Sequence, residues 1–200
     1  MAVSKTRAAP DIREAVAAGI EHIGENYLQE ALSKMAELQD LPLVWHFIGP
    51  IQSNKTRAIA EHFDWVHSVD RLKIAQRLSA QRPDQLPPLN ICLQVNISGE
   101  ASKSGCTLTE LPALAQAVAK LPRLRLRGLM TIPAPSEDPA QQRLPFRRLR
   151  EAQEQLIAEG LELDTLSMGM SDDLGAAIAE GATLVRVGSA LFGARQTALL

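Results

Sequence analysis

Two periods of apolar residues alternate along the chain. Short apolar runs read as strands. Longer stretches with apolar residues every three or four positions read as helices. Ala2 and Val3 belong to the first strand, and Ile12, Ala15, Val16 and Ile20 mark the first helix, with Pro10 and Asp11 at its start. Residues 22–26 form a second strand, followed by a helix through Leu28, Ala31, Leu32, Met35 and Leu38. Residues 44–48 form the third strand, which Gly49-Pro50 ends. Asn54 is placed to cap a short third helix through Ile59 and Phe63. The fourth strand spans 65–70, and Leu72, Ala75 and Leu78 carry the fourth helix. Pro83, Pro87 and Pro88 stiffen the connection to a fifth strand at 91–97. A fifth helix through Leu111, Leu114, Ala115, Val118 and Leu121 leads to a sixth strand at 124–132. A proline-bearing loop then runs from Pro133 through Pro139 towards Pro145, before a sixth helix with Phe146, Leu149, Leu156 and Ile157. Residues 163–168 and 183–187 are the last two strands, separated by a helix through Leu174, Ala177 and Ile178.

Eight strands alternating with helices make a parallel sheet with helical crossovers. Eight such units fit a closed TIM-type (β/α)8 barrel, and one domain over residues 1–200 is expected. A doubly wound open sheet competes with it, but no dinucleotide fingerprint follows the first strand.

Composition narrows the function classes. The formal net charge of −2 and 4% aromatic content give neither a basic arm nor a stacking surface for nucleic acid. No apolar run reaches membrane-spanning length, and no signal peptide precedes the first strand, so a cytoplasmic protein is expected. Cys92 and Cys106 read as reduced thiols, Cys92 in the core and Cys106 in a loop. The four histidines have no zinc-like spacing with them, so no metal is expected.

A barrel of this type carries its site at the carboxyl ends of the strands. Lys5 stands at the end of the first. Burial there favours the neutral amine, a nucleophile for carbonyl compounds. Ser171 and Ser189 bring hydroxyl donors, and Gly169 and Gly188 allow close backbone approach, as in an anion cradle. Ser171 or Asp172 is expected to cap the seventh helix. Arg186 interrupts an apolar strand and needs an acceptor, either a ligand or a carboxylate such as Glu25. Amine, cradle and guanidinium together suggest a phosphorylated carbonyl compound. Pyridoxal 5′-phosphate (PLP) and an aldolase substrate both answer that description.

The stretches that carry a family pattern are Ala2-Val3-Ser4-Lys5-Thr6, Gly24-Glu25-Asn26-Tyr27, His46-Phe47-Ile48-Gly49-Pro50, Gln52-Ser53-Asn54-Lys55, Asn96-Ile97-Ser98, Lys103-Ser104-Gly105, Arg127-Gly128-Leu129-Met130, Ser167-Met168-Gly169-Met170-Ser171-Asp172-Asp173 and the run from Arg186 to Gly193. Through them the chain closely resembles the pyridoxal phosphate homeostasis proteins, which are related to the alanine racemase barrel. The resemblance implies a PLP barrel of fold type III with Lys5 as the Schiff-base lysine. It implies phosphate contacts at Ser171, Gly188 and Ser189, with Met168 and Gly169 in the same stretch, and Arg186 at the pyridine nitrogen. Asn26 would lie beside the ring, and His46 in the pocket wall. The family normally has a helical segment before the first strand; this chain departs from that pattern by starting at the strand, so a barrel lacking the segment is expected.

A PLP carrier or buffer with no established catalytic residue is the leading expectation. It would act as a monomer, with PLP-dependent apoenzymes as candidate recipients. Its rival is a weak racemase-like enzyme, but two-base racemisation needs a base opposite Lys5, and Tyr27 is the only tyrosine. A phosphosugar barrel with an aldolase-type lysine is a third reading. Arg123, Arg125 and Arg127 are expected at a solvated strand start, and Arg143, Arg147, Arg148 and Arg150 on a helix face in water.

Overall fold

A computed structural model describes residues 1–101 and 103–194. Its strands are β1 (Ala2–Val3), β2 (His22–Glu25), β3 (Val44–Phe47), β4 (Trp65–Val69), β5 (Leu89–Gln94), β6 (Leu124–Met130) and β7 (Thr165–Ser167), all parallel and ordered one to seven. The helices between them are α1 (Ala9–Ala17), α2 (Leu28–Glu37), α3 (Thr56–His62), α4 (Leu72–Gln81), α5 (Leu111–Ala119) and α6 (Pro139–Ala158). After β7 come α7 (Leu174–Ala179) and a single turn, α8 (Ser189–Phe192).

Each strand pairs with its neighbours in sequence, so the sheet curls into a ring. The ring closes where an eighth strand is expected at 183–187. That segment makes only isolated bridges, Ser167 to Leu184 and Ala2 to Val187. The Val3 amide donates to the Val187 carbonyl at 2.9 Å, and the Val187 amide to the Met1 carbonyl at 3.1 Å. The Arg186 amide turns aside to the Gly169 carbonyl. A regular ladder is therefore interrupted at the residue whose side chain enters the ring.

Most strands end sooner than the apolar runs suggest. Asn26, Ile48, Asp70, Ile132 and Met168 lie beyond the ladders. At the carboxyl rim the chain turns into loops, and backbone groups find other partners. Beyond β5, the Cys106 amide donates to the Gln94 carbonyl and the Asn96 amide to the Cys106 carbonyl, both at 2.9 Å. Cys106 is thus a buried sheet partner, not a loop thiol.

Other expectations need correction. Asn54 sits inside a 3₁₀ turn, Ser53–Lys55, and does not cap α3. The sixth helix starts at Pro139, where Asp138 caps it by accepting from the Ala140 amide at 3.0 Å. Pro145 lies within that helix and gives up one intrahelical hydrogen bond. Burial of Phe146 and Leu149 just beyond holds the helix against the sheet. Ile157 and Ile178, expected on buried faces, are exposed. Cys92 is fully buried, as expected.

Arg125, Arg143, Arg147 and Arg148 are exposed, as expected, whereas Arg123, Arg127 and Arg150 are partly buried. Arg127 grips Asp164 with two nitrogens, at 3.0 and 2.9 Å, and lies over the Trp65 ring. Arg143, Arg147 and Arg150 converge on the buried carboxylate of Glu180, at the end of α7.

Candidate functional site

A cavity of about 350 Å³ opens at the carboxyl end of the ring. The turn after β1 brings Lys5 and Arg7 to it. The rim after β2 brings Asn26, and the segment after β7 brings Met170, Ser171 and Asp172. Arg186, Gly188 and Ser189 come from the closing segment, and Val3, Ile48 and Ile132 supply apolar wall. Six expected site residues therefore meet here: Lys5, Asn26, Ser171, Arg186, Gly188 and Ser189. His46, Met168 and Gly169 are not among the lining residues.

Lys5 is half-buried, and α2 holds its turn on both sides. Lys34 Nζ donates to the Ser4 carbonyl at 2.6 Å, just before Lys5. The Thr6 amide, just after it, donates to Glu30 Oε1 at 2.5 Å. Thr6 takes φ 65°, a left-handed conformation unusual for a β-carbon-bearing residue, so this turn depends on such anchors. Beneath it, Lys34 pairs with the fully buried Glu25 at 2.7 Å, and Ser4 Oγ donates to the same carboxylate. Glu25 therefore does not serve Arg186. Burial raises the Glu25 carboxyl pKa, against the lowering pull of Lys34 and Ser4.

Lys34 and Glu30 were missed as site supports, although Lys34 left a signal. It falls on the buried stripe of α2 with Leu28 and Ala31, where a cation needs a buried partner.

On the opposite side, Gly188 precedes α8, and the Ala190 amide donates to Ser171 Oγ at 3.4 Å. Arg7 donates to the Gly193 carbonyl at 2.6 Å and lies over the Phe192 ring, which brings a cation to this end. Neither Ser171 nor Asp172 caps α7. Asp173 occupies that position, and its carboxylate accepts from the Met170 amide at 2.7 Å. Gly169 bends the chain out of β7 at φ 101°, where a β-carbon would also meet Ala177. Met168 is core. Gly49 leaves room for the Asn26 backbone, since a β-carbon at Gly49 would fall 2.2 Å from the Asn26 carbonyl oxygen. The buried Oδ1 of Asn26 has no hydrogen-bond partner among the described residues.

Arg186 has no carboxylate partner among the described residues. Its Nη1 donates to Ser167 Oγ at 2.8 Å and its Nη2 to the Thr131 carbonyl at 2.9 Å. Burial lowers its pKa to about 10, which leaves it cationic at neutral pH. Behind it stands His67, fully buried, whose pKa burial and then the Arg186 charge lower to about 3. The site thus combines an amine, a permanent donor, and a hydroxyl and amide cradle. No group of histidine, cysteine or carboxylate side chains suited to a metal occurs among the described residues.

The family model described as alanine racemase, N-terminal domain, matches residues 1–196. The pyridoxal phosphate homeostasis protein of Pseudomonas aeruginosa is 72% identical over 195 residues, 98% of this chain and 84% of that protein. PipY of Synechococcus elongatus, solved with PLP bound, is 43% identical with a TM-score of 0.89, over 96% of this chain and 91% of PipY. An alanine racemase of Clostridium difficile is 13% identical with a TM-score of 0.78, over 98% of this chain and 52% of the racemase, a likeness of fold alone.

Proposed function

This chain belongs to the alanine racemase N-terminal domain family and, within it, to the pyridoxal phosphate homeostasis proteins, and we infer its function from that membership together with the cavity. The chain binds PLP and serves PLP homeostasis. One observation carries the reading at residue level. Groups far apart in sequence, Lys5, Ser171, Arg186 and Ser189, line one cavity of a size to take a small cofactor.

PLP supplies an aldehyde, a phosphate and an electron-withdrawing ring. Lys5 is the residue to bond covalently to the aldehyde carbon, with its turn held by Lys34 and Glu30. Ser171, Ser189 and the amides around Gly188 would hold the phosphate, and Arg7 brings a cation to the same cavity. The orphaned Oδ1 of Asn26 gives a second polar group with capacity for a ligand. Arg186 would donate to the ring nitrogen of bound PLP. A fixed cation there keeps the ring a weak electron sink, which favours storage over amino-acid chemistry. His46, Met168 and Gly169 act from behind the wall, through the residues they hold.

A monomer is the proposed working form. The exposed rim at Ile132 and Met170 is suited to release of PLP to apoenzymes. Two buried, unpaired thiols accord with a reducing compartment such as the cytoplasm. No described helix is long and apolar enough to cross a membrane.

Borohydride reduction of the PLP-loaded protein, followed by peptide mapping, tests the reading. The label is expected on the Lys5 peptide, and Lys5→Ala should be colourless. An equally yellow Lys5→Ala protein, labelled elsewhere, would overturn the assignment. Turnover of D- and L-amino acids by the loaded protein decides against the racemase alternative if none is seen.

A further inference from the structure

Three histidines stand in file inside the barrel. His22 is exposed at the start of β2, at the amino-terminal mouth of the ring. Its Nδ1 lies 2.8 Å from His46 Nε2, and His46 Nδ1 lies 2.8 Å from His67 Nε2. His67 Nδ1 lies 2.7 Å from Ser167 Oγ, which accepts from Arg186 Nη1 at 2.8 Å. A continuous hydrogen-bonded path therefore runs from solvent, through four strands' worth of side chains, to the cavity. His46, His67 and Ser167 are fully buried along it.

The direction of this file follows from its inner end. A guanidinium only donates. Ser167 Oγ accepts from it, and the remaining bond of Ser167 is to His67. The serine hydrogen is then satisfied only if it points at His67 Nδ1, since no other acceptor for it occurs among the described residues. That choice places the His67 hydrogen on Nε2, facing His46 Nδ1. It likewise places the His46 hydrogen on Nε2, facing His22 Nδ1. Every buried donor then meets an acceptor. The reverse direction leaves the buried serine hydrogen without one, a cost comparable to a lost hydrogen bond. The two buried rings must be neutral, and burial lowers the pKa of both His46 and His67.

We propose that Ser167, His67 and His46 are positioning residues for Arg186, a hydrogen-bond file of fixed direction that sets how the guanidinium meets its ligand. The file takes up Nη1, and the Thr131 carbonyl takes up Nη2, so the guanidinium plane cannot rotate within the wall. It also stabilises a buried cation by oriented dipoles rather than by a carboxylate. A carboxylate would neutralise the charge that the ligand meets. The inference rests on the reading of Arg186 as a cofactor contact.

Nitrogen-detected NMR of histidine-labelled protein, without PLP, tests the file directly. Near neutral pH, His46 and His67 should each carry hydrogen on Nε2 and none on Nδ1. Hydrogen on His67 Nδ1 would overturn the proposal. Ser167→Ala should mix the tautomers of both rings, weaken PLP binding about tenfold and shift the visible absorption of bound PLP. Ser167→Thr, which keeps the hydroxyl, should restore all three. Unmixed tautomers and an unshifted spectrum in Ser167→Ala would equally overturn it. Failure of the wild-type protein to bind PLP would sink the cofactor reading instead, and the tautomers, measured without PLP, would still decide the file.

Discussion

At the scale of single residues, buried charges here are matched by unusual partners. Glu180 is 2% exposed at the end of α7, and the three guanidinium groups of α6 cover it. The hydrogen bond from Arg147, then that from Arg143 and the charges of both, hold its carboxyl below the ordinary pKa. A carboxyl depressed in the folded state adds stability above its unfolded pKa and loses it as pH falls through the folded one. Glu180→Gln should therefore lower the melting temperature at neutral pH and change it far less in acid. Melting curves across that range check this. An equal loss at every pH would mean that the carboxylate charge is not what ties α6 to α7.

At the scale of elements, α2 anchors the turn that carries Lys5. Lys34 bonds the Ser4 carbonyl, Glu25 and Glu30 at once. Removing one partner of a buried ion pair leaves the other uncompensated, at a cost of about 3–5 kcal/mol. Lys34→Met should be destabilised on that order. Glu25→Gln added to it should recover much of the loss, because an amide needs no counter-charge. Urea denaturation of the two single variants and the double variant measures the coupling. Additive losses would show that Lys34 and Glu25 do not act as a pair. The double variant, though folded, should still bind PLP less tightly than the wild type, since the Ser4 carbonyl has lost its anchor.

At the scale of the whole molecule, the cavity spans the seam between β1 and the closing segment. Its lining comes from β1, the rims of β2, β3 and β6, and the segments after β7. A ligand there ties the closing segment to β1 where the ladder is thinnest, with only isolated bridges. Binding to the folded state alone stabilises by mass action. PLP at about 100 times its Kd should add about 2.7 kcal/mol, a rise in melting temperature of roughly 5–10 °C for a chain of this size. Pyridoxal, which lacks the phosphate, should raise it less at equal concentration. Equal rises from both ligands would mean that the phosphate is not held by the segment after β7 and α8.

The sequence by itself determined the class of fold, and most of the cavity wall. Periodic apolar positions report local geometry, and alternation of strands with helices leaves few ways to bury both faces of a parallel sheet. Lys5, Asn26, Ser171, Arg186, Gly188 and Ser189 were legible because each is polar or small at the end of an apolar run. Only the tertiary structure decided what those residues touch. Glu25 stood ready on paper as a partner for Arg186, yet it belongs to Lys34. The reason is the ring: α2 packs against β1 and β2 from outside, whereas Arg186 enters from the closing segment. Pro145 lies inside a helix because buried Phe146 and Leu149 outweigh one lost hydrogen bond. His46, His67 and Ser167 come from three separate strands, and nothing local distinguishes them from satisfied core polar residues. Their alignment exists only once the sheet has curled, because a closed barrel turns separate inward positions into neighbours.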